Sequence, residues 1–400
     1  MEKREKLSIE DLDLQGKRLF IRVDFNVPLN AAREVVDDTR IRAALPTIRY
    51  ACERGAKVIL ASHLGRPKGE PDPQYSLRPV SAHLAALLGR GVQMADDCIG
   101  EQVQEQVARL QPGEVLLLEN LRFHPGETKN DPGFARALAS LADLYVNDAF
   151  GAAHRAHASI VGITHYLPLA AAGFLLRKEI EYLGKVLYNP EKPFTIILGG
   201  AKVSDKIGII TRLLPQVDTL LIGGGMAYTF LRVQGMAVGQ SLVELEKQDQ
   251  AAQILAEAEQ QGVKILLPRD HVIAQRIETG APHRVVEGGA IPDGWMGLDI
   301  GPQTVEAFSA VIAQSRMLFW NGPMGVFEVE PFDQGTVAIG RAVGEAAALS
   351  IVGGGDTVAA VHKAGVADRI DHISTGGGAA LEFLEGKELP GIAALTDKSS

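Results

Sequence analysis

Cysteine is nearly missing from this sequence: Cys52 and Cys98 are the only two in 400 residues. They stand far apart, with no partner cysteines and no zinc-type spacing, so a disulfide scaffold is excluded and a reduced, cytoplasmic setting is expected. Long hydrophobic runs are missing too. The most apolar stretch, residues 167–176, is about half a membrane span and stops at Arg177-Lys178. The start of the chain, up to Leu14, mixes both charge signs around no apolar segment, so neither a membrane partner nor a secretory signal is expected. Positive charge is not in excess, with 40 Lys plus Arg against 49 Asp plus Glu and a net charge of −9. That balance argues against a nucleic-acid partner, whose binding surface is basic. Any anionic ligand must therefore be caught by local groups. No repeat of fixed period is visible, which excludes a solenoid.

What is present in excess is glycine, 43 of 400 residues, and its distribution is uneven. Up to residue 198 every glycine is single; beyond it come Gly199-Gly200, Gly223-Gly224-Gly225, Gly288-Gly289, Gly353-Gly354-Gly355 and Gly376-Gly377-Gly378. Arginine leans the other way, with 16 in residues 1–200 and 8 in 201–400. The two halves differ in chemistry.

Short β-branched runs alternate with helical patterns, the mark of parallel sheets built from βαβ units. Strands are predicted at Arg18–Val23, Lys57–Ala61, Glu114–Leu118 and Asp143–Val146, then at Phe194–Leu198, Thr219–Ile222, Lys264–Leu267, Met317–Trp320, Ser350–Val352 and His372–Ser374. Between the halves, residues 174–187 place Leu176, Ile180, Leu183 and Leu187 on one helical stripe, ended by Asn189-Pro190. The length and this pattern predict an α/β protein of two lobes joined by one helix, which serves as a hinge or as a plain connector.

In parallel α/β sheets ligands gather at the carboxyl ends of the strands, and the unusual residues fall there. The first predicted strand runs into Asp24, Phe25 and Asn26, with Arg22, Asp24 and Asn26 alternating to one side. That polar side suits either a ligand site or a solvated edge strand. The next loops carry His63, Leu64, Gly65 and Arg66, then Arg122 and His124, then His154, Arg155 and His157, while Arg40 opens the first helix. Several guanidiniums at strand ends suit a small, multiply negative ligand. The histidines show no metal spacing such as HExxH.

In the second half, Gly199 to Lys206 sets Lys202 and Lys206 four apart, on one face of a predicted helix start. Gly354, Gly355, Asp356 and Thr357, and again Gly376, Gly377 and Gly378, repeat a strand, glycine turn and helix arrangement suited to phosphate. Asp356 adds a carboxylate suited to Mg²⁺. Glu328 follows a strand and offers an acceptor for ribose hydroxyls. Trp320 and Phe327 are expected in the core. A Walker loop is absent, and so is a clean GxGxxG turn.

In order along the chain, RVDFNVP, SHLGRP, LLLENLRFH, FGAAHRAHAS, LGGAKVSDKI, GGGMAYTFL, WNGPMGVFE, VGGGDTVAA and STGGGAALEFLEGKELPG resemble the phosphoglycerate kinases over essentially the whole length. The resemblance implies two Rossmann-like lobes and reversible, Mg²⁺-dependent phosphoryl transfer between 1,3-bisphosphoglycerate with ADP and 3-phosphoglycerate with ATP. It implies a 3-phosphoglycerate domain at 1–173, a hinge helix at 174–188, a nucleotide domain at 189–388, and a segment at 389–400 packing back on the first domain. For the acid it implies Asp24, Phe25, Asn26, Arg40, His63, Leu64, Gly65, Arg66, Arg122 and Arg155. The nucleotide set is Gly200, Ala201, Lys206, Gly223, Gly224, Gly297, Leu298, Pro323, Glu328, Gly354, Gly355, Asp356 and Thr357, with Asp356 also toward the metal. Arg40, Lys202 and the Gly376 to Gly378 turn would act on the transferring group, after hinge closure that excludes water. The family also implies a monomer. A nicotinamide-dependent oxidoreductase would need the missing GxGxxG turn followed by an acidic residue. A non-catalytic anion-binding protein would not need Lys202, Lys206 and Asp356 together.

Overall fold

The computed structural model describes residues 5–288 and 290–398, so Gly289 of the pair noted above lies outside the described residues. The chain divides into two compact units, one running up to Glu181 and resuming at Glu388, the other spanning Tyr182–Lys387.

In the first unit, apolar runs such as Lys-Val-Ile-Leu-Ala form short strands buried on both faces, as parallel strands between helices must be. These are β1 (Arg18–Arg22), β2 (Lys57–Ala61), β3 (Val92–Met94), β4 (Val115–Leu117), β5 (Leu144–Asn147) and β6 (Ala170–Ala172). They form one parallel sheet in the order β3-β4-β2-β1-β5-β6. Helices Thr39–Glu53, Arg78–Leu88, Glu101–Arg109 and Pro132–Ala139 connect them. Arg78–Leu88 begins with Pro in its first turn and ends at Gly89 with φ 67°, the left-handed stop that glycine supplies without strain. Leu19, Ile21, Phe25, Ile41, Val58, Leu60, Leu117 and Val146 meet in one core, where each large side chain contributes about 1.5–3 kcal/mol by leaving water.

The sequence reading did not include β3 and β6. Both are three-residue edge strands, and Val92-Gln93-Met94 is half exposed, so neither carries a buried run long enough to read. Conversely β1 is central, flanked by β2 and β5, which removes the solvated edge strand as the reason for its polar end. The edge at β6 is covered by both ends of the chain: Ala172 N donates to Leu7 O at 2.8 Å, and Thr396 N donates to Ala170 O at 2.9 Å. Such covering closes that edge to pairing with another chain.

The second unit repeats the plan with β7 (Phe194–Leu198), β8 (Thr219–Ile222), β9 (Lys264–Leu266), β13 (Met317–Asn321), β14 (Leu349–Gly353) and β15 (His372–Ile373), in the order β15-β14-β13-β7-β8-β9 and again all parallel. A three-stranded antiparallel sheet, β10 (Asp270–Ala274), β11 (His283–Glu287) and β12 (Met296–Ile300), sits between β9 and β13 in sequence. It was not expected, because β11 is exposed along most of its length and shows no apolar face. Trp320 and Phe327 lie in the main core of this unit with Ile197, Leu318 and Val352. The indole Nε1 of Trp320 donates to Gly322 O at 2.8 Å, so its one polar group is satisfied.

The helix Phe174–Tyr188 contains the boundary between the units. Its buried positions are Leu176, Glu179, Leu183, Val186 and Leu187. Ile180, predicted on the apolar stripe, is only half-buried.

Candidate functional site

Strand order places the sites. In the first sheet the chain builds outward from β1 through β2 and then crosses to β5, so the order reverses beside β1. At such a switch the loops part and leave a crevice beyond the carboxyl ends. Arg22 ends β1 and Asn147 ends β5, and both have less than 2% of their surface exposed.

Four arginines converge here. Burial first, then the charges of Arg22, Arg122, Arg155 and Arg40, hold His63 well below the usual histidine range. Arg22 Nη2 lies 3.0 Å from His63 Nδ1. A guanidinium has only donors, so Nδ1 accepts and the ring proton sits on Nε2. Arg40 Nη1 donates to Asp24 Oδ2 at 2.9 Å. The side-chain oxygen of Asn26 accepts from Gly65 N at 2.8 Å, and Arg122 Nη1 donates to Gly65 O at 2.8 Å. Phe25 N donates to Ser62 Oγ at 2.8 Å, and Leu64 O accepts from Asn120 Nδ2 at 2.8 Å. These bonds lock the loops after β1, β2 and β4 to one another. Arg122 is pushed down to about 10, chiefly by burial and then by Arg155 and Arg22. Its buried Nε meets no acceptor, an unspent donor within the arginine cluster.

The sequence reading missed what braces this cluster. Glu127 has no exposed surface; it accepts from Ser159 Oγ at 2.6 Å and Ser159 N at 3.0 Å. Ser159 Oγ in turn accepts from Arg22 Nε at 2.8 Å. Burial raises the Glu127 carboxyl while Arg22 and Ser159 pull it down. Arg22 itself was visible in the alternation of β1 and was left out of the predicted set. Glu127 gave no sequence signal, since Gly-Glu-Thr after a proline reads as an exposed helix start. Arg66 is exposed on its loop, next to Gly65.

In the second sheet the order reverses at β7, with β13 on its other side. Here Lys206 is 9% exposed and its Nζ donates to Asn321 Oδ1 at the end of β13. Burial lowers its pKa, with Asp205 and Asp356 opposing. Asn321 Nδ2 donates to Gly353 O at 2.6 Å, and Gly322 N donates to Thr357 Oγ1 at 2.7 Å. The turns after β7, β13 and β14 are thereby tied together. The helix Gly355–Ala364 starts after Gly354, φ 92°, with no side chain capping its first turn, so its leading N–H groups are free for an anion. Asp356 is exposed in that first turn.

One expectation fails here. Lys202 and Lys206 do not share a helix face, because the helix begins only at Ile207. Ser204 is drawn off by Glu244, whose carboxylate accepts from Ser204 Oγ at 2.6 Å and Ser204 N at 3.1 Å, and Lys206 N donates to Val203 O at 2.8 Å in a turn. Lys202 is exposed while Lys206 is buried.

The glycines separate into two kinds. Any side chain at Gly199, Gly224 or Gly322 would strike main chain of a neighbouring turn, and one at Gly297 would strike Tyr228. The spaces beside Gly200, Gly355, Gly377 and Gly378 are open. Gly223 and Pro323 are buried under these turns, Leu298 is buried on β12, and Ala201 and Glu328 are exposed.

The family model described as phosphoglycerate kinase matches residues 9–387. A phosphoglycerate kinase of Moorella thermoacetica is 63% identical over 393 residues, covering 98% of this chain and all of that protein. One from Koribacter versatilis is 61% identical over 401 residues, with 98% of this chain and all of that protein covered. Among solved structures, the phosphoglycerate kinase of Coxiella burnetii superposes with a TM-score of 0.89 at 43% identity, covering 97% of this chain and 98% of that one. That of Pyrococcus horikoshii gives 0.85 at 35% identity, with the same coverage of each chain. With the family model spanning nearly all of its length and relatives this similar, the chain belongs to the phosphoglycerate kinase family.

Proposed function

We propose a division of labour for the reaction of this family, the reversible, Mg²⁺-dependent transfer of a phosphoryl group from 1,3-bisphosphoglycerate to ADP, which makes the chain a glycolytic kinase. The first unit binds the acid. Arg22, Arg40, Arg122 and Arg155 supply the positive charge, with the exposed Arg66 reaching from its loop. His63 stays neutral and offers Nε2–H, and Asp24 and Asn26 orient Arg40 and the loop of Leu64 and Gly65, with Phe25 buried beneath. The observation that carries this reading is the convergence of four arginines around a buried, neutral histidine, together with the unspent Arg122 Nε.

The second unit binds the nucleotide. Lys206 and the open turns at Gly200-Ala201, Gly354-Gly355 and Gly376 to Gly378 take the phosphates, with Thr357 fixing the turn behind them. Gly223, Gly224, Gly297, Leu298 and Pro323 bound the base, and Glu328 takes the ribose. The donors around Asp356 fit Mg²⁺: one exposed carboxylate, short of an all-protein cage, suits a hard cation that keeps waters and phosphate oxygens. When bound, the ion neutralises phosphate charge.

Neither nucleophile needs a base. The carboxylate of the acid and the terminal oxygen of ADP are already ionised at neutral pH, which matches a site whose buried His63 is held neutral. What the chain supplies is orientation and compensation of charge on a loose, in-line transferring group. Arg40 and Lys202 act there, with the Gly376 to Gly378 turn.

The test is phosphoryl transfer from ATP to 3-phosphoglycerate with and without Mg²⁺. Lys202→Ala is expected to lower kcat strongly with little change in ATP affinity, since its charge acts in the transition state; unchanged turnover would remove Lys202 from the mechanism. Arg66→Ala is expected to weaken 3-phosphoglycerate binding alone, and calorimetric titration showing weaker ADP binding instead would overturn the assignment of ligands to units. The reading includes a monomer acting in the cytoplasm. Two unpaired buried cysteines support the compartment, and light scattering tests the monomer. Among the described residues no helix is long and apolar enough to cross a membrane.

A further inference from the structure

Two loops of the first unit bring together three side chains that the reaction does not use. β3 and β4 are hydrogen-bonded parallel neighbours, so the chain leaving each emerges at the same end of the sheet. Asp97 and Cys98 follow β3, and His124 follows the turn Leu121–Phe123 beyond β4. Asp97 Oδ1 accepts from Cys98 N at 2.6 Å and lies 2.6 Å from His124 Nε2. The Asp97 carboxylate, the Cys98 thiol and a His124 ring nitrogen all lie within 4.8 Å of one another. His124 stacks on Phe134, with ring centroids 5.2 Å apart, which fixes the plane of the imidazole. Cys98 has no exposed surface.

We propose that Asp97, Cys98 and His124 form a binding site for a thiophilic divalent transition-metal ion of the Zn²⁺ class, with water completing the coordination. Donor chemistry selects the ion: thiolate with imidazole disfavours Mg²⁺ and Ca²⁺ and suits Zn²⁺ or Co²⁺. Charge agrees, because one thiolate and one carboxylate neutralise a divalent ion. Geometry needs only small shifts. Metal bonds of about 2.0–2.3 Å hold ligand atoms roughly 3–4 Å apart, so Asp97 and His124, 2.6 Å apart, open slightly to admit the ion while the widest separations, up to 4.8 Å, close by about 1 Å. Asp97 also lines a cavity of about 240 Å³ with Gly100 and Glu101.

Binding is an exchange with no redox step. The metal–sulfur bond forms as the S–H bond breaks, and the proton leaves to buffer. A thiol must lose its proton to ligate, so affinity rises with pH. Sequence spacing hides the site, because its ligands come from two loops joined only by the pairing of β3 and β4.

The full chain, stripped with a chelator and free of nucleotide, is titrated with Co²⁺ and followed by absorption. The expected result is a thiolate-to-cobalt charge-transfer band saturating at one ion per chain and lost on adding Zn²⁺. Calorimetry in buffers of different ionisation enthalpy should show a proton released per ion. Cys98→Ser should abolish the band, and Cys52→Ser should keep it. Absence of the band in the unaltered chain, or its loss in Cys52→Ser with retention in Cys98→Ser, overturns the proposal. Should Cys98→Ser fail to fold, Asp97→Asn and His124→Gln decide: each must weaken Co²⁺ binding by roughly tenfold or more, and unchanged affinity in both shows that Asp97 and His124 are an ordinary pair beside a core thiol.

Discussion

Both units are built on a six-stranded parallel sheet, with different strand orders, and they gather opposite kinds of anion-suited groups. Each sheet reverses its order beside its first strand, β1 or β7, and each puts its polar residues at that strand's carboxyl end. In the first unit the positive groups are side chains, two of them buried, Arg22 at 1% exposure and Arg122 at 8%, beside a neutral His63 at 4%. In the second, main-chain N–H groups of glycine turns surround a single buried lysine. Clustered guanidiniums repel one another, so the first unit needs Glu127 and a neutral His63 inside it to exist without ligand. Peptide dipoles carry no net charge, so the second unit needs only that its turns pack closely enough. The first site should therefore break when a brace is removed, and the second when a turn is crowded.

The largest expected effect follows from Arg22, whose guanidinium binds Ser159, His63 and Val23 O. Arg22→Ala leaves the Glu127 carboxylate buried without its main positive neighbour. Stability should fall by about 3–5 kcal/mol, the usual result of breaking a buried charge network from one side, with loss of 3-phosphoglycerate binding. Urea unfolding checks it; a loss below about 1 kcal/mol would mean that Glu127 does not depend on Arg22. A matching truncation in the second unit, Lys206→Ala, should leave stability within about 1 kcal/mol, because lysine burial is opposed by its own desolvation.

Crowding reverses the comparison. Gly224 has φ 67°, and a Cβ there would sit 2.6 Å from the main chain of Gly200 and 2.8 Å from Pro323 O. Gly224→Ala should destabilise the second unit by about 2–4 kcal/mol, combining left-handed strain with overpacking. Gly355 has open space and no positive φ, so Gly355→Ala should leave the melting temperature unchanged and raise KM for ATP. Equal thermal losses for the two variants would erase the distinction between packing glycines and ligand glycines.

This distinction marks what the sequence could disclose. Long buried runs such as Phe194–Leu198 were legible to the residue, because a strand covered on both faces must be apolar throughout. β3, β6 and β11 were not, since their partners and coverings come from distant segments. Arg22 was legible as a charge in a strand that should have none. Glu127 and Ser159 were not, for their meaning arises only when β1, the Pro125–Thr128 turn and the segment after β5 meet. The helix expected from Lys202 was a local reading overridden by Glu244, which lies 40 residues from Ser204.

The smallest expected effect compares one buried carboxyl in each unit. Asp148, after β5, is raised to about 7, chiefly by burial, against hydrogen bonds from Thr47 and Leu176 N. Asp299, on β12, is raised to about 8 by burial, with the nearby Asp333 charge adding and the N–H groups of Gly335 and Ile300 opposing. Both folded values lie above the unfolded one near 3.8, so the folded state binds the extra proton. The stabilisation is fully present below that unfolded value and is lost as pH rises through the folded one. Stability should drop by about 1.4 kcal/mol between pH 6 and 8 through Asp148, and by a similar amount between pH 7 and 9 through Asp299. Chemical denaturation across pH separates the two, because Asp148→Asn should make the profile shallower up to about pH 7 and Asp299→Asn up to about pH 8, each leaving the slope that the other carboxyl supplies. If Asp148→Asn left the slope between pH 6 and 8 as steep as in the unaltered chain, Asp148 would be ionised in the folded chain, and the first unit would hold a further buried charge besides the cluster around Arg22.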